Sequence, residues 1–242
     1  MNANVGTGAL GTALLLGALA AVLVGGCGVE ATLRHHRISL ELAVAGEAEL
    51  ALAVHDQRPY VRSEEKIPAY VGSVRKAGIP YDAHTTSGRP LAADMARVVE
   101  RALAKRGFSI RRIDSQPAQI EIEVVKRLVA SGGGRSLLLA IREWHADVRS
   151  EQTLLKYDLG LKVINAYRSV MAETTLRGEQ ELPGRPGIAL PQAYREKLEG
   201  LLNAPAVVAA LSGPPAEKPA AEREEKTPAA EPAGPEPAEA AE

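Results

Sequence analysis

The sequence predicts an α+β domain: a mostly antiparallel sheet with helices packed on one face, its elements in the order ββ-α-βββββ-αα. Three observations carry that expectation. Several apolar runs between residues 38 and 181 alternate with period two, as half-buried strands do. Residues 91–106 carry an unbroken stripe of helical spacing. Further helical patterns come only after the strands, the layout of an α+β chain rather than of alternating βα units. One Phe and one Trp occur in 242 residues, so the core must be mainly aliphatic.

Residues 38–44 (Ile-Ser-Leu-Glu-Leu-Ala-Val) and 48–54 (Ala-Glu-Leu-Ala-Leu-Ala-Val) are the first two predicted strands. Ala45-Gly46-Glu47 between them is of hairpin length. The second strand should stop at Pro59, which has no ladder donor. Residues 60–89 read as a long polar loop with Pro68, Gly72, Gly78 and Pro80, and connections of that length are commonly functional. In the helix at 91–106, Leu91, Met95, Val98, Ala102 and Leu103 form one stripe. Pro90 suits its first turn and Gly107 the left-handed position after its end. Residues 108–113 should be the next strand, and a strand–helix–strand unit permits a right-handed parallel crossover.

Residues 119–130 read as a strand on Ile120, Ile122 and Val124, with a bulge where the apolar phase changes at Val125 and Val129. Ser131-Gly-Gly-Gly-Arg135 reads as a hairpin turn. No Lys-Ser or Lys-Thr helix start follows, so it is not a phosphate loop. Residues 137–148, 154–164 and 170–181 should complete an antiparallel meander. A Pro- and Gly-rich crossing at 183–191 leads to a helix over 191–203 with Tyr194, Leu198, Leu201 and Leu202 inward. Asn203-Ala-Pro205 opens a last short helix over 206–211.

The ends of the chain are of another kind. Residues 9–24 are Leu, Ala, Val and Gly broken only by Thr12, a length that suits a signal-peptide core and is short for a membrane span. The run leads through Leu23-Val24-Gly25-Gly26 to Cys27, the one cysteine in the sequence. This arrangement resembles the lipobox of bacterial lipoproteins. It implies a signal peptide over 1–26, cleavage before Cys27, and palmitate or similar acyl chains on that residue. Residues 1–10 contain no Lys or Arg, a departure from the usual charged start of an export signal. Residues 27–37 then form the lipidated cysteine and a short linker, and 38–212 the folded domain. Residues 213–242 hold eight Glu against Lys218, Arg223 and Lys226, a net of −5, so residues 1–212 sum to +4 of the overall −1. Ala, Pro and Glu dominate this tail, which cannot bury enough apolar area to offset ordering and is expected to be disordered.

Asp56-Gln57-Arg58-Pro59, the helix at 91–107, Ile141-Arg-Glu-Trp144, Leu155-Lys-Tyr-Asp-Leu159 and Asn203-Ala-Pro-Ala-Val207 resemble the YajG-like family of uncharacterised bacterial lipoproteins. The similarity spans most of residues 48–211. It implies an envelope location and carries over no catalytic residue.

Four residues are candidates for binding. Asp56 and Arg58 share a side of an extended segment at a strand end, where they could hold an anionic ligand or simply order a turn. Glu143, His145 and Asp147 share one strand face, with Trp144 on the other. A carboxylate beside a histidine is half of many sites, but the sequence ties no nucleophile or second ligand to it, so a solvated sheet face is the plainer reading. No cofactor or metal is expected. The basic residues and tyrosines of 60–89 carry too little charge for nucleic acid, which is excluded. The expectation is a non-enzymatic lipoprotein on the periplasmic face of the outer membrane in a Gram-negative bacterium. Gly28 follows the cysteine, where an acidic residue would hint at inner-membrane retention. Its partners would be the membrane through the lipid, and an envelope protein, peptidoglycan or anionic lipid. An auxiliary subunit of a lipid transporter or an activator of a cell-wall synthase is the alternative.

Overall fold

A computed structural model describes residues 31–33, 38–149 and 152–213. Cys27, the signal peptide and the acidic tail lie outside the described residues. Among the described residues the architecture is α+β: one eight-stranded sheet, β1 to β8, and five helices, α1 to α5, packed against it. The elements run β1 (Ala31–Leu33), β2 (Glu49–Asp56), α1 (Pro59–Arg62), β3 (Tyr70–Lys76), β4 (Ile79–Thr85) and α2 (Leu91–Lys105). They continue with β5 (Ser109–Arg112), α3 (Glu121–Ala130), β6 (Arg135–Val148), β7 (Thr153–Asn165), β8 (Val170–Leu182), α4 (Pro186–Leu202) and α5 (Pro205–Ser212).

The sheet is mixed, not purely antiparallel: most of its paired residues are antiparallel, and parallel ladders join the rest. β6–β7, β7–β8 and β3–β4 are antiparallel, and the first two give the long meander that the alternation predicts. β2 lies parallel to both β5 and β6, β3 parallel to β6, and β1 parallel to β4. The crossover β2–α2–β5 is the parallel unit that the helix between two strands permits.

Two cores flank β2. Leu50, Leu52 and Val54 point into the main one, under α2, α4 and α5, where Trp144 and Tyr194 meet edge to face at 5.4 Å. Ala51 and Ala53 point the other way, into a smaller core with Val124, Leu128, Leu138 and Ile164. Their small side chains let α3 pack close on the second face of the sheet. The helices therefore do not all share one face.

Three segments differ from the sequence expectation, each for a physical reason. Residues 119–130 are helix α3, not a strand. What reads as a bulge is the i, i+4 spacing of Val124 and Leu128, with Val125 and Val129 one step round the same face. Residues 38–44 are extended but pair with no strand. They bury Leu40, Leu42 and Val44 while their backbone bonds to α4. Glu199 Oε1 accepts from the Glu41 amide at 2.7 Å, and Asn203 binds both the Ala43 amide and the Glu41 carbonyl at 2.8 Å. Residues 60–89 are not a loop: they hold α1 and the hairpin β3–β4.

Candidate functional site

β6 carries two strands on one edge. β2 pairs with its first half, from Leu50 opposite Arg135 to Asp56 opposite Ile141. β3 pairs with its last residues, Gly72 to Val74 opposite Ala146 to Val148. Between them the ladder is interrupted at Arg142–His145, where the register against β7 also shifts. Tyr60 of α1 and Tyr70 at the start of β3 reach into this gap, and all four sequence-predicted binding residues sit around it.

Asp56 and Arg58 form its floor. Both are buried, at 3% and 0% exposure. Arg58 Nε and Nη2 donate to Asp56 Oδ1 and Oδ2 at 2.8 and 2.7 Å. The rest of the guanidinium donates to the carbonyls of Tyr70 at 2.5 Å and Pro68 at 3.1 Å. Burial opposes the charge on Arg58, but its bond to Asp56 outweighs that and holds its pKa above the ordinary value. The pair thus ties the end of β2 to the base of the β3–β4 hairpin. Gly72 completes the junction: its φ is +145°, and a Cβ there would lie 2.1 Å from the Ala146 carbonyl oxygen.

Above this floor the polar side chains pair off. The Tyr60 hydroxyl donates to Glu143 at 2.7 Å and lies 3.2 Å from the Trp144 carbonyl oxygen, covering part of the interrupted ladder. Burial raises its pKa well beyond the usual phenol range, with Glu143 adding to the effect. Tyr70 stacks edge-on to Tyr60 at 5.5 Å, and its hydroxyl is 3.2 Å from His145 Nδ1. Burial, helped by Asp82 and Glu143, pushes the Tyr70 phenol up to about 12. Burial lowers the pKa of His145, against the pull of Glu143 and Asp147. Asp147 does not orient His145. It is held by Arg75 at 2.9 Å and Arg149 at 3.0 Å, which keep its carboxyl below the ordinary value although burial works the other way. The structure therefore joins Asp56 to Arg58 and His145 to Tyr70, but it does not join His145 to Asp147. Trp144 is fully buried on the opposite face. Among the described residues no group of three or more His, Cys, Asp or Glu side chains is placed to hold a metal ion.

One feature escapes the residue-by-residue reading. A crevice of about 310 Å³ lies at the carboxyl ends of the parallel strands β2 and β5, against the first turn of α2. Val54, Pro68, Pro90, Ala93, Ile113 and Pro117 give it apolar walls, and Asp56, Arg97, Arg112 and Asp114 line its polar side. Its signal in the sequence is the crossover itself, because open parallel units leave crevices at the carboxyl ends of their strands.

No family model matches the sequence, and no curated protein gives a significant match. Solved structures similar to it include a DUF330 protein from Xanthomonas campestris, 14% identical over 72% of this chain and 92% of that one, with a TM-score of 0.46. A lipoprotein from Neisseria meningitidis is 9% identical over 62% of this chain and 97% of its own, with a TM-score of 0.33. The C-terminal domain of LpoB from Salmonella enterica is 9% identical over 59% and 87%, with a TM-score of 0.29.

Proposed function

We propose that this chain is an envelope lipoprotein, exported and then held by acyl chains on Cys27 at the periplasmic face of the outer membrane. Its folded body is a non-enzymatic interaction module. The apolar run that ends in the one cysteine of the sequence carries this reading. The acyl chains confine the body to a surface, so weak contacts gain effective concentration. Around β6 the polar side chains are engaged with one another. Asp56 and Asp147 are each engaged by arginine, and Glu143 and His145 by tyrosine hydroxyls. The crevice beside α2, with its proline- and alanine-rich walls, offers the partner an apolar seat.

Metabolic labelling with palmitate tests the anchor. The wild-type chain should take up label and sediment with the outer membrane, and Cys27→Ala should do neither. Equal labelling of the two chains refutes the reading. Crosslinking from Ala93 or Pro117 in cells tests the module. Loss of the crosslinked partner on Ala93→Trp, with the fold intact, is the expected result.

A further inference from the structure

We infer that the tip of the β3–β4 hairpin is a second membrane contact, pressed against the bilayer beside the lipid anchor. The inference rests on acylation of Cys27 and deepens that reading. Its first support is topological. β1 lies parallel to β4, with Ala31 opposite Ala83 and Leu33 opposite Thr85. Moving backward along β1 therefore means moving toward the start of β4, which is the hairpin tip. Cys27 precedes Ala31 by four residues, so covalent geometry keeps it within about 14 Å of that residue. Ile79 precedes Ala83 by four residues of strand, a distance of about 13 Å. Covalent geometry therefore allows the acylated residue to lie beside the hairpin tip.

The chemistry of the tip is the second support. Lys76 pairs with Ile79 around the two-residue turn Ala77-Gly78, both at positive φ, and Val74 pairs with Tyr81. These four side chains share the face that enters the main core at Ala83, fully buried. Beyond Ala83 that apolar face runs on into solvent: Tyr81 is 42% exposed and Ile79 57%. An aliphatic side chain at the extreme end, a tyrosine behind it and a lysine alongside match the layers of a bilayer surface. The acyl region takes the first, the interface the second, and anionic headgroups the third. The acyl chains hold the body to the bilayer without fixing its orientation, and a contact of this kind fixes it.

The test uses the lipidated full chain, purified from membranes and reconstituted in vesicles of phosphatidylethanolamine and phosphatidylglycerol. Thioether formation consumes the Cys27 thiol, so Ile79→Cys supplies the reactive group for an environment-sensitive fluorophore, with Glu179→Cys on β8 as the distant control. Nitroxide-bearing lipids should quench the label at residue 79 at least about fivefold more than at residue 179. Equal quenching in a chain that carries palmitate overturns the hairpin contact and leaves the anchor standing. Shielding of residue 79 in cells but not in protein-free vesicles assigns the tip to a protein and likewise overturns it. A chain without palmitate overturns the anchor and this inference together.

Discussion

Removing Arg58 should cost this protein more stability than its position on a short connection suggests. The Arg58→Met variant keeps the aliphatic stem and removes the guanidinium. Two bonds to Asp56, at 2.8 and 2.7 Å, disappear, as do two to the carbonyls of Tyr70 and Pro68. Asp56 is left with 3% of its surface exposed and no cation beside it. Breaking one side of a buried ion pair costs about 3–5 kcal/mol, mostly from the charge left behind. For a domain of this size that corresponds to a fall in Tm of about 10 °C. Urea denaturation followed by Trp144 fluorescence gives the free energy. The decisive variant is the double one, Asp56→Leu with Arg58→Met, which removes both charges. It should be more stable than Arg58→Met alone, with a coupling energy above about 2 kcal/mol in the cycle. A single variant that loses less than about 1 kcal/mol, or two losses that simply add, refutes the role of the pair as the brace of the junction.

Gly72→Ala should prevent folding or cost more than about 4 kcal/mol, because its Cβ meets the backbone of Ala146; far-UV circular dichroism of the purified chain decides. Leu128→Ala should cost about 2–5 kcal/mol by opening a cavity in the small core under α3, measured by urea titration. Acid should weaken the fold in two stages. Burial lowers the pKa of His55 and His145, so the unfolded chain gains protons first as pH falls below about 6.5, and stability drops from there until their folded values are passed. Hydrogen bonds from Lys162 and Gln57 to Glu121, and from Arg75 and Arg149 to Asp147, outweigh burial and hold both carboxyls below their ordinary values. Their contribution is present above about pH 4 and is lost as pH falls through those folded values. Chemical denaturation at a series of pH values should show both declines, and a stability that is flat from pH 7 to 5 refutes the histidine part.

Period and punctuation made much of this fold legible. The stripe through Leu91, Met95, Val98 and Leu103 gives α2, and the clean alternation from 154 to 164 gives β7 with its two neighbours. Alternation also marks 38–44 as extended, but it records only which side chains are buried. It does not say whether the backbone bonds to a strand or, as here, to Glu199 of α4 and Asn203 at its C-cap. The misreading of α3 has the opposite cause. Ile120, Ile122 and Val124 mimic a strand over five residues, and helical spacing shows only when Leu128 is included. Ile120 at the N-cap and Ile122 in the first turn are exposed, at 54% and 57%, so the apolar residues nearest the helix start carry no packing signal.

The hairpin inside 60–89 was the hardest part to read, and the reason is the junction on β6. β3 has seven residues, and only Gly72 to Val74 pair with β6, so its outer half carries polar residues that look like loop. What stabilises it is not its own pattern but Arg58, ten and twelve residues upstream of the carbonyls it grips. Asp56 and Arg58 were therefore legible as a pair and not as a brace, because nothing local shows that their other partners lie across the connection. The same logic separates His145 from Asp147. Alternation places both on one face, and the structure agrees, but Arg75 arrives from β3 to take the carboxylate, and Tyr70 to meet the imidazole. Both arrivals follow from the short parallel pairing of β3, and that pairing in turn requires a residue without a side chain at Gly72. One backbone position thus decides that the densest polar cluster in the sequence is used to seat a hairpin.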